Sequence, residues 1–395
     1  MRILIFLLGV LVLTSALSKS DRKSRKHEAD STETAKKKVD TSQEKVTTEE
    51  ATEPLNYPPT SITKENIKEN EEIIDDGERK FEHAALAYIT PWNGRGYDLA
   101  KWAAKKFTHI APVWLQMRPQ TADMAASCRI EGTHDIDHGW MNDVRSNNSA
   151  IKFVPRVLFE HWSSEEMHRF LGSEAWTQRC LQDLLHFLQR NQFDGAVIEI
   201  WMSAMMQSRG GATNYLIETL NNWGEAFHEK GMQIIAPVGP PLNDKNEVTG
   251  IFTKEMLESL PLVDYLQVMT YDFPGGRGVA PYDWVHETIR VLTQDNPRNA
   301  ERLMIGMNHY GYRFVQAGES AAIQRNQFLE ELEQEGAKFE WDDTVKEHRV
   351  VTEEAISYYP TLTSIELRLN LAKKYGVGIG IWELGQGMHY WTQLL

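Results

Sequence analysis

Beyond residue 80 the chain alternates short apolar, β-rich runs with amphipathic stretches, and that alternation predicts βα units built on a parallel sheet. Eight runs stand out: ALAYIT (85–90), THIAPVW (108–114), KFVPRVL (152–158), FDGAVIEIW (193–201), QIIAPVG (233–239), VDYLQVMTYD (263–272), RLMIGMN (302–308) and GVGIGIW (376–382). Between them, stretches such as TQRCLQDLLHFLQRN (177–191), TNYLIETLNNWGEAFHEKG (213–231) and SIELRLNLAKKYG (364–376) carry the helical period. The last two close on glycines suited to a helix C-cap. Eight runs with interleaved helices predict a (β/α)8 TIM barrel over residues 81–395. A doubly wound open sheet shares the periodicity, but no glycine-rich phosphate fingerprint follows the first run. Ahead of the last run, KFEWDDTVKEHRVV (338–351) reads as a hairpin, a short insertion that leaves that side of the barrel mouth shallow and open.

The N-terminal part reads differently. Residues 1–18 join one arginine, the apolar run ILIFLLGVLVL and small residues around Ala16 and Ser18, the layout of a signal peptide. The run is too short for the roughly 20 residues of a membrane span. Residues 19–80 are almost all charged or small and polar, with Tyr57 the only aromatic, which predicts a disordered charged stalk. That segment holds 13 basic and 16 acidic residues, so of the formal charge of −14 its removal, with Arg2, leaves −12. So acidic a folded part disfavours nucleic acid as a partner. Cys128 and Cys180, the only cysteines, can form one disulfide or remain two buried thiols. Asn147-Asn148-Ser149 is a glycosylation sequon in a polar stretch, with Asn147 the acceptor. No cofactor and no metal site is assigned.

The chemistry concentrates in FDGAVIEIW. Alternate residues of a strand share a face, so Val197, Glu199 and Trp201 are expected to point together into the barrel. This strand resembles the D-x-x-D-x-D-x-E signature of the family 18 glycoside hydrolases, with Asp194, Val197, Glu199 and Trp201 at the four positions. The resemblance implies that the terminal Glu of the pattern donates the proton to the leaving sugar and that the Asp before it orients the substrate's N-acetyl group. Indole has no transferable proton near neutral pH, so Trp201 cannot replace that acid. Met269-Thr270-Tyr271-Asp272 is similar to the family's M-x-Y-D, which grips the sugar beside the scissile bond, and Trp382 stands where the family has a floor tryptophan. Asn308-His309-Tyr310-Gly311 is similar to its tyrosine–glycine segment. Departures include Arg156, Phe159 and Glu160, where the family has a serine and paired glycines.

From this resemblance the expectation is a catalytically inactive, chitinase-like lectin of a secreted or lysosomal branch, with no metal and a role in innate immunity. It would bind chito-oligosaccharide or lipopolysaccharide-type glycans, an oligosaccharide or glycolipid, through Glu199, Trp201, Met269, Tyr271, Asp272, Tyr310 and Trp382. Read without the family, Trp92, Trp114, Trp201, Tyr271, Tyr310 and Trp382 close strands at the end where barrels carry their sites, and aromatic faces with a few polar groups suit a pyranose. Glu199, inward-facing, needs a partner, with Tyr271 or Arg156 as candidates. Two other readings stay open: a hydrolase using relocated carboxylates among Glu160, Glu199, Asp272 and Glu383, and a scaffold captured by a sorting receptor.

Overall fold

The computed structural model describes residues 54–121, 126–294, 296–315, 318 and 320–395. The signal peptide expected at 1–18 and the first part, 19–53, of the stalk expected over 19–80 lie outside the described residues.

Eight parallel strands form the barrel: β1 Ala85–Ile89, β2 His109–Pro112, β3 Arg156–Phe159, β4 Gly195–Glu199, β5 Gln233–Val238, β6 Tyr265–Val268, β7 Leu303–Asn308 and β8 Gly378–Trp382. Seven fall within one of the eight runs, and β3 extends one residue past its run, to Phe159. The sheet curls from β3 through β8, and β8 pairs with β1 in register Ala85 to Ile379. Closure passes through a break in the third strand. Lys152–Phe153 pairs with β2, whereas Arg156–Phe159 pairs with β4. Between the two pieces stands Pro155, which has no N–H to give a ladder. Its neighbours keep the bend bonded, Val154 N–H to Ile110 at 2.9 Å and Val197 N–H to the Pro155 carbonyl at 3.0 Å.

Both strand faces are buried, as a parallel sheet wrapped by helices requires. Leu86, Tyr88, Ala111, Val113, Val154, Val197, Ile235 and Met304 fill the inside. Ala85, Ala87, Ile89, Ile110 and Ile198 face the helices. Period-two alternation therefore assigns Val197 to the barrel lumen, where it is fully buried.

Two additions stand at the C-terminal face. A hairpin of Leu115–Gln120 and Ser127–Glu131 continues from β2, its first strand pairing with β3. A Cys128–Cys180 disulfide ties the hairpin to the helix Glu174–Arg190. Between β7 and β8 lies a five-stranded antiparallel sheet made by Gly311–Val315, Ser320–Ile323, Lys338–Asp342, Glu347–Val351 and Ala355–Tyr358. The expected hairpin is its outer pair, so the insertion holds more than one hairpin and walls the mouth on the side expected to be open. The three missed strands are four or five residues long, and Ser320–Ile323 is largely exposed, so none stands out as a long apolar run.

Residues 54–80 correct the expected stalk. Thr63 caps the helix Lys64–Asn70, whose Ile67 is fully buried. The Asn56 and Tyr57 N–H groups donate to Glu366 at 2.8 and 2.9 Å, Lys64 bonds the Leu332 and Ala337 carbonyls, and Glu71 pairs with Arg325. A few isoleucines spaced for burial, with polar groups matched to the barrel and the inserted sheet, suffice to order this strap. Composition averaged over the whole N-terminal segment hides them.

Candidate functional site

The C-terminal strand ends converge on Trp382. It closes β8 with its ring partly exposed, and its neighbours come from three other strands. Tyr88 of β1 meets it edge-on at 5.2 Å between centroids. From β3, the Arg156 guanidinium carbon lies 5.3 Å from the ring centroid, within cation–π range. β4 contributes Glu199, whose two oxygens both accept from Arg156, one from Nε and the other from Nη2 at 2.7 Å. Of the two partners expected for Glu199, it takes Arg156. The pair is mostly buried, with side-chain exposures of 11% and 25%. Such a fork-to-fork pair is rigid as well as charge-compensated.

Across the mouth stand Met269, Tyr271, Asp272 and Tyr310. Met269 is partly buried, its N–H bonded to Val238 at 3.0 Å. The Tyr271 ring lies over Gly306, where a Cβ would come within 2.6 Å, so only glycine leaves room. Burial, and next the charge of Asp272, raise the Tyr271 pKa, so the phenol stays neutral. Asp272 sits in the left-handed region at φ 56° and accepts from the Tyr310 hydroxyl. The Tyr312 hydroxyl, on the first inserted strand, approaches the same carboxylate. Packing of the carboxyl among these rings raises the Asp272 pKa, against the pull of the two hydroxyls. Tyr310 is held in place by Asn308, whose Nδ2 donates to its carbonyl at 2.8 Å.

Several sequence-predicted residues stand elsewhere. Trp201 does not share the lumen face with Val197 and Glu199: β4 stops at Glu199, Ile200 turns to ψ −29°, and Trp201 opens the helix Trp201–Ser208. Its ring is fully buried between strand and helix, 5.4 Å from Phe252, with Nε1 donating to the Ile251 carbonyl at 2.9 Å. It is therefore a core residue and lines no cleft. Asp194 lies at the opposite end of β4, accepting from the Phe153 N–H at 2.8 Å and from Arg145. Trp114 is fully buried, with Nε1 bonded to the Tyr97 hydroxyl. Trp92, on the loop after β1, is 67% exposed.

The other carboxylates expected near the mouth are engaged. Glu160 pairs with Arg118 at 3.0 Å. Glu383 is 1% exposed, accepts from Asn93 at 2.8 Å and from the Gly385 N–H at 3.0 Å, and caps the turn Leu384–Gln386. Burial outweighs those bonds and pushes its pKa up to about 7. Asn147 is exposed at the end of the helix His138–Asn147. Among the described residues no group of three or more His, Cys, Asp or Glu could hold a metal, and no helix is long and apolar enough to cross a membrane.

Two participants escaped the sequence reading. Tyr88 was legible by alternation, since it shares the inward face of β1 with Leu86. Tyr312 was not, because its strand belongs to the unforeseen sheet.

Residues 84–387 match the family model described as Glycosyl hydrolases family 18. Among solved structures, the chain resembles a chitinase from Chromobacterium violaceum ATCC 12472 at 21% identity, covering 79% of this chain and 97% of that one with a TM-score of 0.64. The spore cortex-lytic enzyme SleL of Bacillus megaterium QM B1551 matches at 15% identity over 81% and 74% of the two chains, TM-score 0.62. A mutant class V chitinase from Nicotiana tobaccum, in complex with NAG4, matches at 15% identity over 79% and 99%, TM-score 0.63.

Proposed function

The chain belongs to glycosyl hydrolase family 18, and from that premise we propose that it holds a saccharide at the C-terminal mouth of the barrel without hydrolysing it. The observation that carries this reading is the Arg156–Glu199 pair beside Trp382: the one carboxylate that β4 brings to the mouth is charge-paired through both oxygens with a guanidinium. Hydrolysis requires a group that delivers a proton to the glycosidic oxygen. Two residues beyond Glu199 stands the sealed indole of Trp201. What remains at the mouth is suited to holding a sugar: the partly exposed Trp382 ring, the ion pair beside it, and Asp272 with its two tyrosines. The tobacco relative in complex with NAG4 supports a saccharide as the ligand class. We further propose, from the sequence motifs alone, that the chain belongs to a secreted or lysosomal branch of chitinase-like lectins.

Isothermal titration against chito-oligosaccharides and lipopolysaccharide, run with the native chain and with Trp382→Ala, tests the reading. Loss of a stacking ring is expected to weaken binding about tenfold or more, or at least about 1.4 kcal/mol. Absence of any saccharide binding, or turnover of chitin or peptidoglycan fragments at any pH from acidic to neutral, would sink it.

One observation favours a second reading, a hydrolase with a relocated acid. Glu383 adjoins Trp382 and its pKa of about 7 suits a general acid. Its burial and its two donors argue for a structural cap instead. Hydrolysis that disappears in Glu383→Gln would establish this alternative.

A further inference from the structure

Resting on the saccharide-binding reading, we infer that the Arg156–Glu199 pair sets which sugar stands over Trp382: a pyranose with free neighbouring hydroxyls, as in a glucan, in preference to one carrying an acetamido group.

The argument starts from hydrogen-bond capacity. Each carboxylate oxygen of Glu199 has two acceptor sites and gives one to Arg156, while the guanidinium has five N–H groups and spends one at Nε and one at Nη2 on that contact. What is left is a fixed donor beside a fixed acceptor, alongside an aromatic face. Two adjacent equatorial hydroxyls present the complementary pattern, because one can donate to Glu199 while the next accepts from Arg156. The rigidity of the pair means that little side-chain entropy is lost on binding.

An acetamido group needs something different: an acceptor for its N–H, a donor for its carbonyl, and a space for its methyl beside the sugar ring. Around Trp382 that space is filled. Tyr88 meets the indole edge-on, and Val113, Val197 and Met304 pack the lumen at exposures of 6% or less. The deepest donor there is engaged too: the Tyr88 hydroxyl donates to Gln267 at 3.2 Å. Arg156 itself occupies the volume between β3 and the indole. An acetamido sugar would have to displace the guanidinium and leave Glu199 with an uncompensated charge, which is costly in a largely buried site.

The test compares cellohexaose with hexa-N-acetylchitohexaose by isothermal titration. The native chain is expected to bind cellohexaose at least tenfold tighter. Arg156→Ser alone strands the Glu199 charge, so the informative variant is Arg156→Ser with Glu199→Gln, its folding checked by thermal melting. In that double variant the preference is expected to fall to threefold or less, while Trp382→Ala weakens both sugars and leaves their ratio unchanged. Tighter binding of the N-acetylated sugar by the native chain overturns the inference and leaves saccharide binding standing. So does a hexose preference that survives the double substitution. Binding of neither sugar, nor of any other saccharide, overturns the underlying reading and the inference with it.

Discussion

Trp201 and Trp382 are both tryptophans that follow inward-pointing strand residues, yet their environments assign them opposite work. Trp382 stays on its strand and keeps part of its ring exposed. Trp201 begins a helix and is sealed against Phe252 and the Ile251 carbonyl. Substituting Trp201 by Ala should therefore act on stability, at about 3–5 kcal/mol for a large buried aromatic, as read by urea unfolding. Saccharide affinity of the folded fraction should stay within threefold of native. A selective loss of binding with unchanged stability would return Trp201 to the mouth. For the same reason a carboxyl introduced at 201 would be buried between strand and helix, away from any bound sugar. The residue types of the site were legible, since Glu199, Tyr271, Asp272, Tyr310 and Trp382 do converge. Their partners were legible only in part: Arg156 was one of two candidates for Glu199, whereas the Tyr312 hydroxyl on Asp272 had no antecedent in the sequence.

At the scale of elements, the strap over residues 54–80 makes the sharpest contrast with composition. A polar, highly charged segment is expected to stay unfolded because it cannot bury enough apolar surface. Here the apolar minority is placed where the barrel offers a partner, and backbone N–H groups find Glu366. Ile67→Ala is expected to cost about 2–4 kcal/mol, as for other fully buried isoleucines. A melting temperature equal to native would mean that the strap contributes nothing. The inserted sheet shows the complementary failure of pattern reading. Its strands are four or five residues long and one is mostly exposed, so neither length nor alternation separates them from loop. Barrel strands, buried on both faces, gave continuous apolar runs and were found at once.

For the whole molecule, four buried titratable groups set opposing responses to pH. His309 is held down to about 3 by burial, and His109 and His348 to about 4, also by burial first. Each is neutral in the folded state while the unfolded chain takes up protons below about pH 6.5. Stability from these three is thus present above that pH and lost as pH falls towards 4. Glu383, raised to about 7, acts in the opposite sense: its contribution is complete below about pH 4.5 and is lost as pH rises through 7. Taken by themselves, the three histidines lose stability on acidification over that range. His309→Phe keeps a ring against Trp391, 4.7 Å away, and removes one titration. Relative to native, it should recover about 2–3 kcal/mol at pH 4.5 compared with pH 7.5 in denaturant unfolding. An unchanged difference between the two pH values would show that His309 is not the group responsible.

What the sequence determined by itself is local and periodic: eight apolar runs, the helices between them, and the residue types at their ends. Those follow from side-chain alternation and burial, which repeat along the chain and need no knowledge of distant partners. Tertiary structure alone decided which way Trp201 turns once its strand has ended, that Arg156 rather than Tyr271 takes Glu199, and that Ile67 finds a buried seat. Each of those outcomes depends on groups far apart in sequence meeting in space, and on which backbone and side-chain hydrogen bonds remain to be satisfied there.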